Sequence, residues 1–476
     1  MITTPQTSTD SLVLFRNSQN EPGRGTLVRL SRNMAVFEVY NPYSIVQLSE
    51  VLGDLQIRRG DRVIYRGRAV VSNLMTTGLV LIVSVTLVDP WSELLQLAPG
   101  PALREEVAGF VTEWEERVTA LRRPYQLVVG TMANFCQELS RWLAHYEAVV
   151  GGNGSEPADP LHEELTEHIS SQTLPKLREL WQRYEQCAAE VPGDLLPAHK
   201  EFARRDLHPL LLCSPFIHRT FTKPLGYAGD YEMVNMMFRR PWEGQTIYAR
   251  IVNALLITAP TAQGHRNRID RLTRCLDDEA RRAVEAGHRL RVLNVGCGPA
   301  IEVQQFLHQS PHADDCTLEL VDFNDETLAY ARRVIDDAIA ATGRHPELRM
   351  VHESIHGLLR QASRPGADRL RHASGEYHLV YCAGLFDYLS DRICKRLLRL
   401  FIHSVVPGGL VVATNVDPSN PMRQFMEHVL EWNLIHRSKQ QMLKLAPAGS
   451  PVQAFTDATG TNVFLEVRRP KGEDPE

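Results

Sequence analysis

The stretch LNVGCGPAIEVQQFL, residues 293–307, reads as a buried strand, a glycine turn and the start of a helix. Gly296 and Gly298 let the backbone turn tightly and come close to a ligand with no Cβ in the way. From Leu290 onward apolar runs alternate with helical patterns: RVLNVG, TLELVD, LRMVHE, HLVYCA and GLVVATNV. Runs of this kind belong to a parallel sheet buried on both faces. Pro407-Gly408-Gly409 predicts a tight turn ahead of the fifth run, and FTDAT and NVFLEVRR predict an antiparallel edge. The predicted class is α/β, with a ligand outside the carboxyl ends of the strands.

Several residues narrow the ligand. A dinucleotide fingerprint G-x-G-x-x-G needs glycine at 301, where the chain has Ile301, which weighs against NAD. Asp322 ends the second strand, 24 residues beyond Gly298, where a carboxylate can accept hydrogen bonds from both ribose hydroxyls of an adenosine. The third strand ends in His352-Glu353-Ser354-Ile355, a place to grip an adenine ring.

On these motifs residues 290–468 resemble the class I S-adenosylmethionine-dependent methyltransferases. The resemblance implies a Rossmann-like seven-stranded sheet whose last strand is antiparallel. It implies cofactor contacts from Asn294, Gly296, Gly298, Asp322, Glu353 and Ser354. The family's loop reads E/D-x-G-x-G-x-G; here the acidic position is Asn294 and the last glycine is Ala300. The loop after strand four, Cys382 to Tyr388 with Asp387, would lie near the transferred methyl. Asp387 is either a substrate contact or a residue at a helix N-terminus.

The preceding segment carries SPFIHRTFTKPLGYAGDYEMVNMM (214–237), PWEGQTIYARIVNALL (241–256) and HRNRIDRL (265–272), and MEHVLEWNLIHRS follows at 426–438. These blocks resemble bacterial proteins of the extracellular-factor family, which make 3-hydroxypalmitic acid methyl ester. In GYAGD, Tyr227 offers a hydroxyl on an apolar ring, and Asp230 either a carboxylate for the cofactor's amino group or a helix cap. Arg266 and Arg268 stand at the start of a helix predicted from about His265 to Ala286. A cation is disfavoured at that end, so they either serve a carboxylate or are solvated charges. Trp432 and Arg437 are predicted on a helix after strand five. Phe216, Phe221, Met233, Met236, Met237, Trp242 and Tyr248 suit an apolar acceptor or a packed core.

Upstream, residues 11–90 hold short β-type runs: LVLF, GTLVRL, MAVFEVY, RVIYRG, AVVSNL and GLVLIVSVTLV, punctuated by glycines including Gly53 and Gly67. They predict a small all-β barrel that resembles a PilZ domain. In that family a D/N-x-S-x-x-G strand motif and an upstream arginine cluster bind cyclic di-GMP. Here Ser31 remains, but Arg29 and Met34 stand at the acidic and glycine positions, so no tight cyclic di-GMP binding is expected. Residues 100–289 predict a helical linker, lid and substrate region. Val107, Phe110, Val111, Trp114, Val118 and Leu121 recur at helical spacing, the period resumes through Tyr146, and another helix is expected from about Leu161 to Glu190. Residues 198–245 read as irregular, 151–160 as a flexible loop, and 1–10 as a frayed start.

With 476 residues, 57 acidic against 52 basic groups and 43% hydrophobic content, the composition is that of a globular protein. It argues against wholesale disorder and against a chain built to grip nucleic acid. The longest apolar run, Leu79 to Val88, is strand-like and too short to span a membrane, and no secretory signal is visible. Eight scattered cysteines with no C-x-x-C pair suggest reduced thiols in a cytoplasm, and no metal motif is present. The function these features imply is methyl transfer to a small molecule, foremost a carboxylic acid with an apolar tail. Tyr227, Asp230 and Asp387 are the catalytic candidates, and Arg268 joins the cofactor-binding set. Alternatives are transfer to an amine or a protein, and a non-catalytic cofactor-sensing regulator. A homodimer through the β or helical domain is a further arrangement open to the chain.

Overall fold

A computed structural model describes residues 11–31, 33–39, 46–59, 62–76, 81–89, 101–150, 160–361 and 377–471. The expectations for residues 1–10 and for the loop at 151–159 lie outside the described residues. The chain divides into two compact units. The first takes in residues up to Ala228, with Trp242–Leu255 and Met422–Asn433. The second takes in Gly229–Pro241, Leu256–Pro421 and Leu434 onward.

The first unit opens with a closed antiparallel barrel in the order β1-β2-β3-β6-β5-β4. Its strands are β1 (Ser11–Arg16), β2 (Pro22–Leu30), β3 (Met34–Val39), β4 (Val51–Arg59), β5 (Arg62–Thr76) and β6 (Leu81–Leu87). Alternation builds the core: Val13 and Phe15, Ala35 and Phe37, Leu55 and Ile57, Val83 and Val85 all point inward. The strands are not the six apolar runs. RVIYRG and AVVSNL form one strand, β5, because Gly67 is not a turn. A Cβ there would come within 2.8 Å of the Tyr65 hydroxyl, so glycine serves close packing. VLGDLQIRR, which carries Gly53 and few consecutive apolar residues, pairs with β1 and β5 as β4.

Helices α1 (Pro101–Ala120), α2 (Arg123–Val150), α3 (Pro160–Ala189), α4 (Leu196–Leu211) and α5 (Pro215–Thr222) follow. Then come α6 (Tyr231–Phe238), α7 (Ile247–Ile257) and α8 (Pro260–Glu285). The stretch 198–245 is therefore largely helical rather than irregular. Prolines at the first turns of α4 and α5, Ser214 capping Ile217 N, and Asp230 capping Met233 N start helices that apolar periodicity alone does not display. Of the aromatic and Met set, Phe216, Met233, Met237 and Tyr248 are core residues. Only Phe221, Met236 and Trp242 keep partial exposure.

The second unit carries the α/β sheet. It alternates β7 (Leu290–Val295), α9 (Ile301–Gln309), β8 (Cys316–Asp322), α10 (Asp325–Thr342), β9 (Glu347–His352), α11 (Ile355–Gln361), β10 (Tyr377–Cys382), α12 (Asp391–Ser404) and β11 (Val405–Val416). Short α13 (Arg423–His428) and α14 (Lys439–Leu443) precede β12 (Val452–Thr456) and β13 (Asn462–Arg468). The seven strands lie in the order β12-β13-β11-β10-β7-β8-β9. The β7, β8, β9, β10 and β11 neighbours pair in parallel, while β13 runs antiparallel to β11 and β12. The reversed last strand is the one the methyltransferase resemblance implies. Pro407-Gly408-Gly409 is not a turn ahead of β11 but a bulge inside it, where the register to β10 jumps from Tyr377↔Val405 to Leu379↔Leu410.

Candidate functional site

The site forms where β7, β8 and β10 end in the second unit. Leaving β7, Gly296 and Gly298 take φ of +73° and +53°. The amides of Gly296 and Cys297 both donate to the Val321 carbonyl, at 2.8 and 3.1 Å, which ties the loop to β8. A Cβ at either glycine would meet nothing within 4 Å, so the conformation requires glycine and the space before the loop is open. Asp322 stands at the end of β8, 7% exposed. Its carboxylate accepts from Gly298 N at 3.3 Å and Asn324 N at 3.1 Å. Burial raises its pKa to about 6 against those backbone donors. Glu353 joins through its backbone, its amide donating to the Asp322 carbonyl at 3.0 Å. Ser354 instead caps α11, accepting from Gly357 N at 3.0 Å.

Asn294 is buried on β7. Its Nδ2 donates to Glu302 at 3.1 Å, and its Oδ1 is buried with no hydrogen-bond partner. Glu302, in the first turn of α9, also accepts from the Tyr381 hydroxyl at 2.8 Å. Burial raises its pKa. The carboxylate missing from position 294 is thus supplied from the helix. The sequence reading does not reach it, although its place four residues past Gly298 is visible in the chain.

Arg268 does not stand at a helix start. α8 begins at Pro260, so the dipole argument lapses. Arg266 is bound structurally, donating to the carbonyls of Met237 and Ile257. Arg268 is 5% exposed, and its Nη2 donates to His265 Nδ1 at 2.8 Å. Its Nε and Nη1 are buried without a hydrogen-bond partner. Nη1 lies 3.2 Å from where a Cβ would stand on Gly384, whose φ is +82°. Asp387 and Glu302 face this guanidinium electrostatically. His265, beside it, is held well below the usual histidine range by burial and by Arg268, so it is a neutral acceptor.

Asp387 sits in a 3₁₀ turn, Phe386–Tyr388, with Oδ1 accepting from Val416 N at 2.7 Å. Burial lifts its pKa to about 7, opposed by the Val416 amide, Arg268 and Arg437. Trp432 and Arg437 are not helical: α13 ends at His428, Glu431 has φ +51°, and the chain to Ser438 is irregular. Arg437, 2% exposed, donates to the carbonyls of Phe386 (2.7 Å) and Leu389 (2.6 Å), to Asn415 Oδ1 (2.7 Å) and to Asp391 (2.8 Å). It clamps the loop after β10.

Asp230 spends its carboxylate on capping α6, accepting from Met233 N at 2.8 Å. Tyr227 belongs to the first unit, half-buried in a turn where the Gly226 carbonyl accepts from Val51 N of the barrel at 2.7 Å. Asn294, Gly296, Gly298, Asp322, Arg268, Glu353 and Asp387 are thus brought to one sheet end, while Ser354 and Asp230 serve as helix caps. Among the described residues no group of three His, Cys, Asp or Glu side chains could hold a metal ion, and no helix is long and apolar enough to cross a membrane.

No family model and no curated protein matches the chain. Solved structures resemble it at low identity. A possible exported protein from Bordetella parapertussis is 18% identical over 53% of this chain and 86% of its own, at a TM-score of 0.40. An O-methyltransferase family protein from Burkholderia thailandensis is 15% identical over 51% and 69%, at 0.32. Magnesium protoporphyrin IX methyltransferase from Synechocystis PCC 6803, with bound S-adenosylhomocysteine, is 12% identical over 49% and 92%, at 0.31.

Proposed function

We propose that the chain is an S-adenosylmethionine-dependent methyltransferase acting on a small molecule. The observation that carries this is the arrangement at the sheet end. An open glycine loop after β7, a buried acidic strand end at Asp322 after β8 and a buried Arg268 with two unpartnered donors beside Gly384 after β10 stand at the same end of a sheet with a reversed last strand. These residues fit the cofactor group by group: Asp322 for the ribose hydroxyls, Arg268 for the carboxylate, Asn294 Oδ1 and Glu302 for the ammonium. When bound, the sulfonium supplies an electrophilic methyl. The chain's own part is to orient the ligands and exclude water.

A carboxylic acid with an apolar tail remains the preferred acceptor, giving a methyl ester. A carboxylate is already anionic at neutral pH and needs no general base. One observation favours transfer to an amine instead. Asp387, with its pKa near 7, is poised to take a proton. Incubation with methyl-labelled cofactor and cell extract separates the two readings. Base-labile label in a lipid supports the ester, and base-stable N-methyl label assigns Asp387 as the base. No transfer at all, with the cofactor bound, leaves the regulator.

Asp322→Ala is expected to weaken cofactor binding by about 1–3 kcal/mol, read by calorimetry. Unchanged affinity removes the ribose assignment. The wild-type affinity should fall as pH drops through about 6, since the ribose hydroxyls need the anion. Folding runs the other way. With a folded pKa raised above the usual 3.8, this carboxyl stabilises the ligand-free protein most below about pH 4, and that contribution is lost as pH rises through about 6. A pH-independent affinity would contradict the assignment.

The barrel places Ser31 at the β2–β3 turn, where its amide donates to the Met34 carbonyl at 2.8 Å. With Arg29 and Met34 in the motif positions, cyclic di-GMP titration should show no saturable binding at low micromolar ligand. A tight isotherm overturns that expectation.

A further inference from the structure

The segment Met422–Asn433 follows β11 in the chain yet belongs to the first unit, and the second unit resumes at Leu434. The grip on this segment falls largely on its backbone. Glu185 of α3 accepts from the amides of Gln424 at 2.9 Å and Phe425 at 2.8 Å. His208 of α4 donates to the Val429 carbonyl at 2.8 Å, and Lys223, next after α5, donates to the Leu430 carbonyl at 3.2 Å. Bonds to main-chain groups fix where the chain runs, whatever side chains it carries.

The last hold comes from Ser49, just ahead of β4. Its hydroxyl donates to the Asn433 carbonyl at 3.1 Å and accepts from the amide of the same residue. One oxygen that is donor and acceptor at once answers both backbone groups. Ser49 is fully buried with φ +62°, a left-handed backbone that a non-glycine residue keeps only where its surroundings hold it. They do so here. The Ser49 amide donates to the Val71 carbonyl at 2.8 Å, and the Val71 amide donates to the Glu50 carbonyl at 2.9 Å. The Glu50 carboxylate accepts from the amides of Ser18 and Gln47, each at 2.8 Å.

A single residue, the buried Leu434, separates Asn433 from a contact with Asp387. The Ile435 amide donates to the Asp387 carbonyl at 2.7 Å, and the Ile435 carbonyl accepts from Asn415 Nδ2 at 2.8 Å. Two residue steps of chain reach at most about 7 Å. With Leu434 packed there is little slack, so the placement of Asn433 is passed along the chain to the backbone of Asp387.

We propose that Ser49 is a positioning residue for methyl transfer, its hydroxyl holding Asn433 and, through Ile435, Asp387. This rests on the reading of the sheet end as a methyl-transfer site. It gives the barrel a part in turnover that needs no bound nucleotide.

Ser49→Gly and Ser49→Ala in the full chain test this, with methyl-labelled S-adenosylmethionine and cell extract as the probe. Both should transfer label about tenfold or more slowly than the wild type at saturating cofactor, because a misplacement of about 1 Å from a distant change can cost about 100-fold. Calorimetric affinity for S-adenosylhomocysteine should stay within about twofold, the split expected when transfer and not binding is lost. Glycine suits φ +62° and alanine does not, so the glycine variant should be the more stable in urea and yet no faster. Hydrogen exchange should rise in peptides covering Asp387 and Ile435. A glycine variant whose rate recovers with its stability would show that Ser49 only holds the fold, and overturns the proposal. Unchanged exchange in those peptides overturns it as well. Variants as fast as the wild type overturn the positioning role alone, whereas a wild type that transfers no label overturns the methyltransferase reading and this proposal together.

Discussion

Arg437→Ala is expected to destabilise the second unit by about 3–5 kcal/mol, since three buried acceptors lose their donor at roughly 1–3 kcal/mol each; the pair with the exposed Asp391 adds little. Arg437 is among the largest fully buried side chains. It satisfies two loop carbonyls, Asn415 and Asp391 together. Its loss leaves the Phe386 and Leu389 carbonyls and the Asn415 side chain without that donor in a dry interior. Arg437→Lys recovers only part of the stability, because an ammonium on a flexible stem cannot span the planar fork. Urea unfolding followed by circular dichroism reads both. A loss under about 1 kcal/mol for the alanine variant would show that the clamp contributes little.

Arg268→Met is expected to change binding and stability in opposite directions. In the ligand-free protein Arg268 is a buried cation with Nε and Nη1 unpartnered, and burial lowers its pKa. An apolar side chain of similar volume relieves that cost, so the free protein should gain roughly 1 kcal/mol or more in denaturant unfolding. The gain should be clearest near pH 6, below the pKa of about 7 at Asp387, where that carboxyl is largely protonated and needs no counter-cation. Cofactor affinity should fall about 100-fold or more, as expected for a lost charge-assisted contact in a desolvated site. The pairing of the two effects is the diagnostic. A residue that merely held the fold together would lose stability and affinity at once, and that outcome would remove Arg268 from the binding set. Sites that hold strained or unsatisfied groups for a ligand are where stability and function separate.

The glycine loop and Asp322 were legible because each is a local signal, a strand end and a turn whose backbone only glycine adopts easily. The parallel strands were legible because burial on both faces leaves near-continuous apolar runs. Other features depend on distant partners. Trp432 and Arg437 are predicted on a helix, yet the backbone there is irregular, and Arg437 is held by the loop after β10. The sequence pattern puts Arg268 at a helix N-terminus; the helix starts five residues before His265, and burial beside Gly384 is what marks the residue. β4 escaped because Gly53, Asp54 and Gln56 dilute its apolar pattern, and pairing on both sides makes it a strand.

By itself the sequence determined the α/β class, the loop that turns at Gly296 and Gly298, the acidic end of β8, and the existence of an N-terminal β unit. Each follows from rules acting over a few residues: side-chain period, turn conformation and strand burial. Only the tertiary structure decided which buried groups are satisfied. It joins Asn294, Glu302 and Tyr381 into one network and leaves Arg268 short of partners. It gives Asp230 to a helix cap and turns four of the aromatic and Met side chains into core. Burial and hydrogen-bond satisfaction are sums over neighbours far apart in the chain, and no local pattern contains them.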